Sequence, residues 1–192
     1  DYYNYSTFWN YDTLLDSFTH INNSFDPSNP MHYNWNDLDT TISTLANNGM
    51  DVYFRLGISW PDNNLYTRPP TRPPYDSNGI SFNKFAALCK RTVMHYNNGW
   101  DNGFNYGIKH WEIWNEPDYT GGFFWDGSAN RFYKLYETVS KSLKNHNSTL
   151  IVGASGLTPV TIILDRPDFY LNFLSYVQNN NLALDFLSWH LY

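Results

Sequence analysis

Trp111–Pro117 reads Trp-Glu-Ile-Trp-Asn-Glu-Pro, and within it two carboxylic acids and an amide sit among large apolar side chains. A carboxyl group in such company is costly to ionise. Its presence on a buried strand points either to chemistry or to a cation that answers it. By the two-residue period of a strand, Glu112, Trp114 and Glu116 are expected on one face. Pro117 stops the strand directly after Glu116, which puts that carboxyl at the strand's carboxyl end. An acid held there, screened from water, is suited to delivering a proton to a departing oxygen, which is general acid catalysis. Asn115 beside it offers an amide with donors and an acceptor, suited to a hydroxyl-bearing ligand. A bare surface Asn-Glu-Pro turn would carry no such chemistry. The flanking Trp111, Ile113 and Trp114 separate the two readings. Glu112 lies deeper on the same strand, and pairing with a cation such as Arg55 suits it better than catalysis.

The elements that must position these groups alternate. Asp51–Gly57, Lys109–Trp114, Leu150–Ala154 and Leu184–His190 read as strands, the third closed by a turn at Ser155–Gly156. Between them lie helical patterns. Trp35–Asn48 carries Leu38, Ile42 and Leu45 on one face and stops at Gly49. Ser81–Asn98 repeats Phe82, Phe85, Cys89, Val93 and Tyr96. Ala129–His146 repeats Phe132, Leu135, Tyr136, Val139 and Leu143. Asp168–Asn179, opening after Pro167, carries Phe173, Leu174 and Val177. Strand–helix alternation implies an α/β fold with parallel strands and right-handed crossovers. The first strand–helix junction lacks a Gly-Xaa-Gly-Xaa-Xaa-Gly cradle, which weakens a dinucleotide-binding sheet. Chemistry-bearing residues at the carboxyl ends of several strands favour a closed barrel. Ser59–Asp76, with five prolines, is expected as a long loop over the active face.

Composition narrows the partners. The chain of 192 residues has a net charge of −6, 16% charged residues and 19% aromatic residues, with no basic cluster. That pattern excludes an electrostatic footprint for nucleic acid and argues against disorder. No apolar run is long enough to cross a bilayer. Cys89 is the only cysteine, which rules out a disulfide within the chain or a cysteine-based metal site. It reads as a small buried hydrophobe. The histidines His20, His32, His95, His110, His146 and His190 show no metal-binding spacing, so neither a metal nor another cofactor is implied. The abundant aromatic rings suit neutral sugars, whose C–H faces stack on them, although core packing accounts for most such residues. Sequons at Asn4, Asn22 and Asn147 are expected by chance in so Asn-rich a chain.

The Trp111–Asp118 stretch resembles the fourth strand of clan A retaining glycoside hydrolases, and its wording is most similar to glycoside hydrolase family 39, which includes β-xylosidases and α-L-iduronidases. His95–Trp100, Phe124–Trp125, Leu135–Tyr136, Val152–Gly153 and Asp185–Tyr192 also resemble that family, so the likeness covers most of the chain. The resemblance implies a (β/α)8 TIM barrel, with Glu116 as acid/base, Asn115 on the sugar 2-hydroxyl, and His190 and Tyr192 lining the subsite from the sixth strand. Trp60 and Trp125, in the loops after the third and fourth strands, are candidate stacking platforms, with packing an equal alternative.

Retaining hydrolysis needs two carboxyl groups about 5–5.5 Å apart, one as acid/base and one as nucleophile. The resemblance implies a nucleophilic Glu at the end of the seventh strand, yet no Glu follows Glu137. A barrel of this kind takes about 250 residues. The chain is therefore expected to be residues 1–192 of an incomplete catalytic barrel, from late strand two to strand six. Such a segment should have no activity of its own, its parent being an exo-glycosidase such as a β-xylosidase. The absence of an Arg/Lys cluster near the motif favours a neutral glycoside. A carbohydrate-binding barrel without chemistry stands as the alternative. Secretion would suit polysaccharide breakdown, and the sequence leaves localisation and oligomeric state open.

Overall fold

The computed structural model describes residues 26–57, 80–118, 125, 127–159 and 168–191. The expected Ser59–Asp76 loop lies outside these residues. The element order is α1 (Asn36–Asn47), β1 (Tyr53–Leu56), α2 (Ile80–Asn98), β2 (His110–Ile113), α3 (Ala129–His146), β3 (Ile151–Leu157), α4 (Asp168–Asn179) and β4 (Phe186–Trp189). Short 3-10 turns at Pro30–His32 and Trp100–Asn102 precede α1 and follow α2. The four strands form one parallel sheet in sequence order, β1-β2-β3-β4. This is an α/β sheet of consecutive strand–helix units, an incomplete (β/α) barrel whose β1–β4 are the expected strands three to six.

Strand parity divides the sheet. Phe54, Leu56, Trp111, Ile113, Val152 and Ala154 are buried toward the helices, and Phe54 packs against Trp111 and against Tyr96 of α2. Tyr53, Arg55, His110, Glu112, Gly153, Phe186 and Ser188 fall on the opposite, inner face. The registers Tyr53↔His110, Arg55↔Glu112, Glu112↔Gly153 and Gly153↔Phe186 set them side by side.

The helices cover the outer face as their periodicity predicts. Phe82, Phe85, Cys89, Val93 and Tyr96 of α2 are all buried, as are Phe132, Leu135, Tyr136, Val139 and Leu143 of α3. Ser128 caps α3 by accepting from the Arg131 amide. Gly49, at φ 72°, supplies the left-handed residue that ends α1. Entry into β2 is fixed by Asn97, whose side chain donates to the Ile108 carbonyl (2.8 Å) and accepts from the Ile108 amide (2.7 Å). Below it, His95 stacks on Trp35 and bridges the Trp100 carbonyl to Asp39.

One expectation about the strands is corrected. β3 does not close at Ser155–Gly156 but runs through both to Leu157, with a register irregularity against β4 between Ala154 and Leu157. Gly156, at φ 59°, absorbs the extra residue as a bulge, which any side chain would resist.

Helices α3 and α4 are joined by a carboxylate. Glu137 accepts from Lys134 Nζ (2.8 Å), Lys141 Nζ (2.7 Å) and the Tyr176 hydroxyl (2.6 Å). Burial pushes its carboxyl up, but these three donors outweigh burial and hold it down at about 2. A depressed carboxyl stabilises the fold above its unfolded value of about 4.3 and loses that contribution as pH falls toward 2. Glu137→Gln is expected to cost about 1–2 kcal/mol at neutral pH. The difference in melting temperature between wild type and variant should shrink between about pH 4.5 and 2. Thermal melts across that window check this.

Candidate active site

At the carboxyl end of the sheet, side chains from three strands form one polar chain. It begins with Glu112, which is wholly buried in the middle of the sheet. Its Oε2 accepts from Arg55 Nε on β1, and its Oε1 accepts from Ser188 Oγ on β4 and from the Tyr53 hydroxyl (3.2 Å). The Glu112–Arg55 pairing expected from the sequence is thus present. Desolvation and the adjacent Glu112 carboxylate both push the Tyr53 hydroxyl up, which keeps it a donor.

Arg55 has a second partner. Its Nη2 lies 3.3 Å from Nε2 of His190, just beyond β4, and Nδ1 of that ring lies 2.5 Å from Glu116 Oε1. Glu116 itself is 5% exposed, and its backbone amide donates to the Ser155 carbonyl (2.9 Å). Glu112, Arg55, His190 and Glu116 are therefore linked in sequence through their side chains.

Strand parity does not continue to Glu116 as the sequence predicts. β2 ends at Ile113, and Trp114 and Glu116 both take positive φ, 71° and 46°. The left-handed turn at Trp114 sends its ring to the helical side, edge-on to Phe85 and Trp125 at 5.7 and 5.6 Å. Glu112 and Trp114 thus lie on opposite sides of the sheet. The second positive φ returns Glu116 to the inner face.

Asn115 lies between them, 1% exposed, and its Oδ1 has no hydrogen-bond partner among the described residues. It points at Gly156: a Cβ built there would come within 2.9 Å of His190 Nε2, 3.0 Å of Asn115 Oδ1 and 3.2 Å of Arg55 Nη2. The bulge glycine therefore leaves room where three polar ends converge. Gly156 N donates to Ser188 Oγ (2.8 Å), which ties the bulge to the strand that carries His190. Asp118 closes the turn after Glu116 by accepting from the amide and hydroxyl of Thr158.

Of the candidate residues, Glu116, Asn115 and His190 are brought together. Trp125 is not a platform. It is 3% exposed, packed edge-on between Trp114 and Phe132, with Nε1 donating to the Ser128 carbonyl, and belongs to the core. Trp60 and Tyr192 lie outside the described residues. Sequence reasoning missed Ser188 and Gly156. Ser188 could have been found by stepping back two residues from His190 along the strand. Among the described residues, no group of three or more His, Cys, Asp or Glu side chains could hold a metal ion.

A parallel barrel segment that gathers buried carboxylates at the carboxyl ends of its strands has the architecture of a barrel enzyme. The chain belongs to the Glycosyl hydrolases family 39, whose family profile matches residues 7–192. It is 26% identical over 134 residues to a β-xylosidase of Geobacillus stearothermophilus, covering 67% of this chain and 23% of that protein. It is 31% identical over 87 residues to a β-xylosidase of Caldicellulosiruptor saccharolyticus, covering 44% of this chain and 16% of that protein. Among solved structures, a glucosidase from Croceicoccus marinus superposes with a TM-score of 0.70 at 30% identity, covering 86% of this chain and 32% of that one. A monomeric β-xylosidase from Caulobacter crescentus shares the fold, with a TM-score of 0.63 at 20% identity, over 84% of this chain and 31% of that one. The chain thus spans about a quarter or less of the two curated relatives and about a third of the solved chains. It is related to enzymes that hydrolyse glycosides.

Gly156→Ala is expected to lower stability by about 1–2 kcal/mol, because an L-residue there must hold a left-handed conformation. It should also push the three converging polar ends apart. Thermal melts, together with the chemical shifts of the His190 ring, check both effects.

Proposed function

We propose that residues 1–192 are part of the catalytic barrel of a retaining O-glycoside hydrolase, with Glu116 as acid/base. The observation that carries this reading is the placement of Glu116. Its carboxyl is nearly buried just beyond the end of a central strand, and the residue before it, Asn115, has an amide oxygen, Oδ1, that lacks a hydrogen-bond partner among the described residues. A buried acceptor without a donor is costly, and a sugar 2-hydroxyl would satisfy it. His190 holds Glu116 from the other side, and Tyr192 is proposed to line the same subsite.

The chemistry takes two steps. In the first, the protonated Glu116 gives its proton to the glycosidic oxygen as the bond from that oxygen to the anomeric carbon breaks. A second carboxylate attacks that carbon from the opposite face and forms a glycosyl ester. In the second step, ionised Glu116 takes a proton from water, whose oxygen displaces the ester carboxylate. Glu112 is no candidate for the second carboxylate, because it is wholly buried and both of its oxygens are engaged by Arg55, Ser188 and Tyr53. No Glu follows Glu137 in this sequence, so the nucleophile is proposed to belong to a longer polypeptide. The substrate is proposed to be a neutral sugar, as in a β-xyloside released from a chain end. The motif carries no Arg/Lys cluster, and Arg55 is already committed to Glu112.

Two measurements test this on aryl β-xylosides. Glu116→Gln in the full-length protein is expected to lower kcat/KM by about 10²–10⁴-fold, with the fold retained by circular dichroism. A sugar-binding barrel without chemistry would show no Glu116-dependent turnover at all. The 192-residue polypeptide alone is expected to show none either. Robust turnover by it would overturn the placement of the nucleophile elsewhere.

A further inference from the structure

Arg55 touches no atom of the proposed reaction, yet its guanidinium lies against the His190 ring. We infer that Arg55 is a positioning residue that locks His190 in the Nδ1–H tautomer. Glu116 Oε1 then always accepts a hydrogen bond, and the reactive proton travels on Oε2.

The argument rests on donor and acceptor inventory. A guanidinium stays charged and can only donate. Its Nη2 lies 3.3 Å from His190 Nε2, so that nitrogen must offer its lone pair. The remaining ring proton is then on Nδ1, 2.5 Å from Glu116 Oε1. A second proton on the ring would aim an Nε2–H donor at the Arg55 guanidinium, which can only donate, and would set two cations side by side.

Arg55 cannot easily turn away. Glu112 engages its Nε, and Glu112 is itself wholly buried and bonded to Ser188 and Tyr53. The backbone of His190 is pinned by donation to the Leu157 carbonyl (2.8 Å), and its ring lies against Gly156. With Nδ1–H fixed on Oε1, that oxygen is an acceptor whether Glu116 is protonated or ionised. The imidazole orients the acid and takes no proton from it, which leaves Oε2 to donate and recover the proton. The tautomer stands on geometry alone, while its kinetic consequence rests on the acid/base reading of Glu116.

The test uses the full-length protein labelled with ¹⁵N-histidine and long-range ¹H–¹⁵N correlation spectra. His190 is expected to show a protonated Nδ1 and a bare Nε2. Arg55→Lys, whose ammonium also only donates, should keep that pattern. Arg55→Met alone would strand a buried Glu112 charge, so the informative variant pairs it with Glu112→Gln, with folding followed by circular dichroism. That double variant should lose the single tautomer. Its kcat should fall about 10–100-fold, with KM changed less than about threefold. A protonated Nε2 in the wild type overturns the inference, and so does an unchanged tautomer in the double variant, whatever happens to activity. If Glu116→Gln leaves turnover intact while Nδ1–H is observed, the proposed function fails and the tautomer assignment stands.

Discussion

Glu112 carries a carboxylate into the middle of a parallel sheet, where it has no exposed surface. An unanswered charge there would cost several kcal/mol, and much of the inner face is arranged as the answer to it. Arg55 and Tyr53 reach it from β1 and Ser188 from β4. These donors lie on strands either side of β2, and a register slip of one residue would turn them toward the helices. The carboxylate therefore acts as a registry device. It binds β1 and β4 to the centre of the sheet and leaves Arg55 with its outer nitrogen aimed at the carboxyl ends.

The second constraint is backbone shape at those ends. A regular strand would have carried Trp114 into the cleft and left Glu116 in the same row as Glu112. The left-handed residues at Trp114 and Glu116 break that row. They bury the Trp114 ring among Phe85 and Trp125, and they lift Glu116 clear of the floor. The Gly156 bulge on the neighbouring strand completes the arrangement. It presents the Ser155 carbonyl to the Glu116 amide and leaves no side chain between Asn115, His190 and Arg55. Such irregularity at strand ends carries a conformational cost, and dense packing outside the sheet offsets it.

What could be read in the sequence follows from which signals are local. Among the described residues, helical periodicity gave the four helices and short apolar runs gave the four strands, and Pro117 with its neighbours marked Glu116. The Arg55–Glu112 pair was legible because a carboxylate at a core position demands a cation, and Arg55 was available on the preceding strand. Trp114 was placed on the wrong side because strand parity assumes extended backbone, and nothing in Trp-Asn-Glu-Pro announces two left-handed residues. Ser155–Gly156 looks like a turn from its residue types. It becomes a bulge because the β4 edge, far along the chain, supplies pairing on its other side. Trp125 sits in a loop by sequence and in the core by structure, since its partners Trp114 and Phe132 flank it across separate elements.

The two acids of the motif are held in two different ways a few residues apart. A permanent cation placed directly on an acid that must cycle between protonated and ionised forms would hold it ionised. Here the guanidinium engages Glu112 directly, and an imidazole links it to Glu116. The ring passes on geometry, a donor in a fixed place, with less of the charge. Glu112 is bound on both oxygens and is structural. The cation lies on the acid whose two oxygens are both engaged, and the acid proposed to react is oriented through a ring that need not change its own protonation.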